Sequence, residues 1–323
     1  MSRHLPLALV PVLALLALPL VGSLPAWLTL TVAGLAMGMM IFMMACGLTL
    51  VFGLMDVLNF AHGVFISFGA YGAASVLTRM TRTMQAGSLA ADLSAMLPAL
   101  AAAIALAAAL GWFFERVLVR PVYGDHLKQI LITMGGLIVF EQMIDVIWGP
   151  EIIPLPRPGA ITGSFLVGDA AIERYRVAAV VVGALVFLAS WWLLNRTRIG
   201  LLVRAGVENR EMVESLGYRV RRLFVGVFVA GSGLAGLGGA MWAMYQEQVT
   251  PQMGMQVLVL VFIVVIIGGL GSLGGCFIGA LLAGLLANYA GYLAPKLALG
   301  SNILLMVLVL LWRPRGLYPL GRA

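Results

Sequence analysis

Apolar residues fall in long unbroken runs near 5–22, 27–53, 60–78, 95–114, 130–149, 177–195, 223–243, 255–270, 274–293 and 299–312, with short polar stretches between them. A helix needs about 20 mostly apolar residues to cross a bilayer. The pattern therefore predicts about ten spans, or about 8–10 if the shorter runs are broken or re-entrant half-helices. The runs are continuously apolar and do not alternate, which favours helices over the strands of a barrel. The expected fold is all-α: a polytopic transmembrane helical bundle, one domain over 1–323.

Composition agrees. The chain is 62% hydrophobic and only 10% charged, with a mean hydropathy of +1.04, whereas soluble domains carry about 25% charged residues. The first run follows Arg3 and ends at Gly22 and Ser23, so it reads either as a span or as a signal peptide.

The formal net charge is +7. The arginines sit in short stretches between apolar runs, so the basic balance sets topology and does not point to nucleic acid. The stretch 196–222 holds Arg196, Arg198, Arg204, Arg210, Arg219, Arg221 and Arg222. Arg116, Arg120 and Lys128 mark a second stretch, and Arg313, Arg315 and Arg322 a third. All three are expected in the cytoplasm, and with ten spans both termini are too. The stretch 245–254 has Glu247 and no Lys or Arg, as expected outside, whereas Arg79 and Arg82 argue the other way.

Several motifs are decoys. Gly231-Gly233-Gly236 and Gly269-Gly271-Gly274 match GxGxxG, but neither follows a strand, which the dinucleotide fingerprint requires. Gly231, Ala235 and Gly239 recur at every fourth residue and predict a small face for close helix packing. The only lysines are Lys128 and Lys296, and neither follows glycine, so there is no Walker A motif. His4, His62 and His126 are far apart and none begins HExxH; no serine lies in a GxSxG elbow. No metal site or catalytic residue is expected. Cys46 and Cys276 lie in apolar surroundings and read as buried, inert thiols.

Four features remain. The stretch 200–217, GLLVRAGVENREMVESLG, reads as a short helix with Ala205, Met212, Val213 and Leu216 on one face and a stop at Gly217. Arg210 and Glu214 are spaced as a surface ion pair. The helix is either a solvated loop element or one that docks into a groove of a cytoplasmic partner. Within 47–72, Asp56, Asn59 and His62 interrupt an apolar run, which reads equally as a short loop or as a break lining a cavity. Within 268–284 a Gly/Ser turn joins two apolar runs, as in a broken or re-entrant pair. Glu141 and Asp145 lie one turn apart; they suit either a proton relay or, preferably, a helix end emerging into solvent.

The run GLTLVFGLMDVLNFAHGVFISFGAYG, the segment RTRIGLLVRAGVENREMVESLG, the turn GGLGSLGGCFIGALLAG and the ending RPRGLYPLG together resemble the branched-chain amino-acid ABC transporter permeases, nearest the smaller of the two paired subunits. The resemblance covers nearly the whole chain; Cys276 stands where small or aliphatic residues are more usual. It implies a permease subunit of an importer in a bacterial inner membrane. Its partners would be a second homologous permease subunit, two ATP-binding cassette subunits and a periplasmic solute-binding protein. ATP would be bound by the partners, and this chain would need no cofactor and would be no enzyme. The coupling helix would lie within 196–222, with Arg204, Ala205, Glu208, Met212, Leu216 and Gly217 as coupling residues. By position, Asn59, His62 and Asn288 are candidates for the translocation pathway. The solute would be a branched-chain or other amino acid, although related permeases also serve urea, amides and aromatic acids. The competing classes are a stand-alone proton-coupled transporter using Glu141 or Asp145 and a urea- or amide-type channel.

Overall fold

The computed structural model describes the backbone of residues 5–57, 59–84, 88–208 and 210–318. Arg3, His4, Leu58 and Arg322 lie outside the described residues, as do the side chains of Arg82, Glu208 and Arg210.

Among the described residues there are thirteen α-helices: α1 (Leu5–Val21), α2 (Leu24–Met55), α3 (His62–Arg79), α4 (Thr81–Met84), α5 (Leu89–Phe113), α6 (His126–Trp148), α7 (Arg174–Arg196), α8 (Arg198–Glu208), α9 (Arg210–Ser215), α10 (Val220–Gln246), α11 (Met253–Gly268), α12 (Leu273–Leu293) and α13 (Pro295–Trp312). All but the short α4, α8 and α9 coincide with the ten apolar runs. Helices α2, α5, α6, α7, α10 and α12 are long and apolar enough to cross a bilayer, and shorter apolar helices occupy the positions of α1, α11 and α13. Two small antiparallel pairs complete the fold: β1 (Ile153–Pro154) with β4 (Gln248–Val249), and β2 (Ser164–Val167) with β3 (Ala170–Glu173).

The core is built around α2, which packs on α12, α10 and α7, while α10 also packs on α3 and α5. Lipid tails are as apolar as leucine, so hydrophobicity alone does not join helices in a membrane; close packing of small residues does. A Cβ on Gly231 of α10 would lie 2.9 Å from the Gly47 carbonyl oxygen of α2, and one on Gly38 would lie 2.8 Å from the Ala280 carbonyl oxygen of α12. The small face expected at Gly231, Ala235 and Gly239 is buried. The first GxGxxG match lies inside α10 and the second spans the α11–α12 turn, so neither is a strand-to-helix loop. Cys46 and Cys276 are buried free thiols.

The α2–α3 connection turns back into the bundle. Asp56 ends α2 in the left-handed region, with φ 52, and is exposed, while Val57, Asn59 and Ala61 are buried. His62, the first residue of α3, contacts the Met44 carbonyl. Met44 lies eleven residues before the end of α2, roughly 16 Å along its axis. Phe60 packs on Phe262 of α11, and its amide donates to Thr133 of α6. The start of α11 is buried in the same region: the Ser67 hydroxyl donates to the Pro251 carbonyl and accepts from the Gly254 amide.

The chain end closes the α11–α12 turn. Helix α11 leaves its last carbonyls without intrahelical donors. The amides of Leu317 and Tyr318 donate to the Ile267 and Gly268 carbonyls at 2.9 and 3.0 Å. At the opposite end of the bundle, Arg157 donates to the Met244 and Tyr245 carbonyls at the end of α10 and pairs with Glu173 and Glu247.

Candidate functional site

The stretch read as one helix over 200–217 is helical over α8 and α9, on either side of residue 209, which lies outside the described residues. Thr197 caps the start of α8 through the Gly200 amide, and Gly200 lies so close to Leu194 that α8 folds back sharply on the end of α7. Helix α8 packs on α7 and α2, and α9 on α10. Gly217, at φ +84, ends α9 in a conformation that side chains disfavour. Its amide donates to the Glu214 carbonyl, and the Tyr218 amide donates to the Val213 carbonyl.

The faces differ from the expected stripe. Val203 and Val213 anchor the pair, the latter only 3% exposed. Met212 and Leu216 point outward, 61% and 68% exposed, and Ala205 is half-buried. Adjacent helical positions lie about 100° apart, so a seam through Met212 and Val213 together had to be divided by packing. Arg204 is exposed and its guanidinium reaches the Asn195 side-chain oxygen at 3.3 Å. Leu201 and Tyr218, not singled out in the sequence, are exposed beside them. The result is a firmly seated helix pair that presents apolar side chains, among arginines and glutamates, at one end of the bundle.

The three pathway candidates do not form one cluster. Asn59 is buried; its Oδ1 accepts from the Ala61 amide, and its Nδ2 has no partner among the described residues. The His62 Nε2 lies 2.8 Å from the Met44 carbonyl oxygen, and since a carbonyl can only accept, that nitrogen carries the hydrogen. Asn288, half-buried on α12, donates to the Gly284 carbonyl and contacts the Met37 sulfur of α2. Met37 and Met44 are two helical turns apart on α2, so Asn288 lies roughly 10 Å along that helix from His62.

The acidic pair does not simply emerge into solvent. Glu141 and Asp145 are half-buried on α6, and the Asp145 Oδ1 is shielded and has no partner among the described residues. At the other end of α6, hydrogen bonds from the Lys128 ammonium and amide hold the exposed Asp125 carboxyl below its ordinary value.

A family model described as branched-chain amino acid transport system / permease component matches residues 30–312. The high-affinity branched-chain amino acid transport system permease protein LivH of Escherichia coli K12 is 28% identical over 297 residues, covering 90% of this chain and 94% of its own. BraD of Pseudomonas aeruginosa, a permease protein of the same description, is 29% identical over 308 residues, with the same two coverages. LivM of Escherichia coli K12 is 27% identical over 317 residues, covering 88% of this chain and 69% of its own.

Proposed function

The chain belongs to the family of branched-chain amino acid transport system permease components, and from that premise we propose that it is a membrane subunit of an ABC importer. The observation that carries the reading is the seated α8–α9 pair with Met212 and Leu216 exposed. A permease with no nucleotide-binding motif of its own needs a handle through which an ATPase can move it. The pair would enter a groove on one of the two ATP-binding subunits, with Met212 and Leu216 as apolar anchors. Arg204 and the neighbouring charges would form the rim.

Relatives named LivH and LivM in one organism support a pair of homologous permease subunits, this chain standing in the smaller position. A solute-binding protein would deliver the solute from the side of β1–β4. The arginine-rich end then faces the cytoplasm of a bacterial cell, and both termini lie on that side. The solute class is an amino acid, branched-chain side chains first among them. Of the pathway candidates, Asn59 has the donor that no group among the described residues occupies. His62 and Asn288 would act by shaping the path.

The test is initial uptake of labelled amino acids into proteoliposomes containing the complete complex, with ATP on the nucleotide side, with and without a protonophore. ATP-dependent uptake that survives the protonophore supports the reading. Uptake that the protonophore abolishes while ATP remains would give the chain to proton-coupled transport.

A further inference from the structure

A second site lies where α5 ends and α10 begins. Beyond Phe113 the helix widens into a π-helical turn over Phe114–Val119, followed by a short tight turn over Arg120–Val122. Wider turns of this kind recur at functional positions. Helices α5 and α10 run antiparallel, with Gly111 against Ser232 and Gly236 against Ala103 and Ala107. The end of one therefore meets the start of the other. Between them is a cavity of about 290 Å³ lined by Glu115, Arg116, Arg120, Arg221, Arg222 and Val225. That volume is at the lower end of the roughly 300–1,000 Å³ of small-ligand sites.

The four guanidinium groups have no hydrogen-bond or ion-pair partner among the described residues. Arg116, Arg221 and Arg222 are exposed and Arg120 is half-buried. Glu115 is fully buried; its Oε1 accepts from the Tyr123 hydroxyl at 2.8 Å, and its Oε2 has no partner among the described residues. A buried carboxylate oxygen without a donor is costly and calls for one. The cavity thus offers anion-binding groups at its rim and an unmet acceptor on its wall.

We propose that this cavity binds the headgroup of a membrane phospholipid that carries both a phosphodiester and a hydrogen-bond donor, as an ethanolamine or glycerol headgroup does. The phosphodiester meets the four arginines, of which Arg221 and Arg222 stand in the first turn of α10, where the helix dipole also favours an anion. The ammonium or hydroxyl of the headgroup donates to Glu115. Acyl chains are accommodated by the adjoining surface: Trp112 and Phe113 are exposed at the end of α5, and Val117 is exposed beside Arg116 on the π-helical turn that follows. A continuous strip from apolar side chains into arginines fits a lipid at the membrane interface better than it fits an acidic soluble protein. The placement at the inner interface rests on the orientation proposed above, but the chemistry of the cavity does not.

The experiment is native mass spectrometry of the purified full chain after lipid exchange in detergent against phosphatidylethanolamine, phosphatidylglycerol or phosphatidylcholine. Choline has a positive charge but no N–H or O–H, so it cannot satisfy Glu115. The wild-type chain is expected to retain a single ethanolamine or glycerol phospholipid and to lose the choline lipid. The Arg116→Gln/Arg120→Gln pair should retain lipid roughly tenfold less. Glu115→Gln should bind ethanolamine and choline lipids alike. Equal retention of all three lipids by the wild-type chain, or undiminished retention by the arginine pair, would overturn the proposal. So would displacement of the lipid by millimolar inorganic phosphate, which would make this a free-phosphate site, or by a co-purified ATP-binding subunit, which would make it a protein contact.

Discussion

The Nε2 of His62 lies 2.8 Å from the backbone carbonyl oxygen of Met44, which pins the first turn of α3 to the middle of α2. The bond holds the α2–α3 connection inside the bundle. His62→Leu keeps the bulk but removes the donor, and should cost about 0.5–1.5 kcal/mol. His62→Gln, whose amide can donate, should recover most of it. The measurement is the melting temperature in detergent. Near-native melting of both variants together with lost uptake would place the imidazole in the solute path instead.

Gly231 and Gly47 set how closely α10 approaches α2. A methyl group at either position meets the backbone of the other helix, so Gly231→Ala should destabilise by about 1–3 kcal/mol. Gly135 of α6 has nothing within 4 Å of an added Cβ. Gly135→Ala should therefore be neutral or slightly stabilising. Equal effects of the two substitutions on thermal stability would contradict this packing.

Arg157 ties the segment between α6 and α7 to the end of α10 through two carbonyls and two carboxylates. Arg157→Met should loosen this end by about 2–4 kcal/mol without unfolding the helices. Limited proteolysis should cut the variant within 149–173 well before the wild-type chain. Identical cleavage rates would show that the clamp is dispensable.

The spans were legible because a bilayer tolerates little besides long apolar helices, so the run at 130–149 became α6 with few alternatives. What the apolar pattern could not give were positions set by partners distant in sequence. Asp56, Asn59 and His62 mark an interruption, but only packing against Met44, Thr133 and Phe262 turns it inward. The outward faces of Met212 and Leu216 depend on Val213 seating against the bundle. The ending near Gly316 matched a family pattern, yet its job of capping the Ile267 and Gly268 carbonyls appears only once α13 has brought the chain back. Glu115 looks in sequence like one more charge in a basic stretch and is instead buried.

Orientation has its own test. A reporter active only in the periplasm, fused after Arg322, should stay dark if the proposed orientation, drawn from the arginine clusters, holds. A bright reporter would invert the bundle and with it the docking role of α8 and α9.

The most direct test of that role is a double substitution, Met212→Asp with Leu216→Asp. Both side chains are exposed, so the bundle should insert and melt as the wild-type chain does. Solute uptake by the complex, normalised to its level in the membrane, should fall by at least about tenfold, as expected when two apolar anchors are lost. The ATP-binding subunit should no longer co-purify in mild detergent. Normal uptake at normal membrane levels, with the ATP-binding subunit still attached, would contradict coupling through this helix pair.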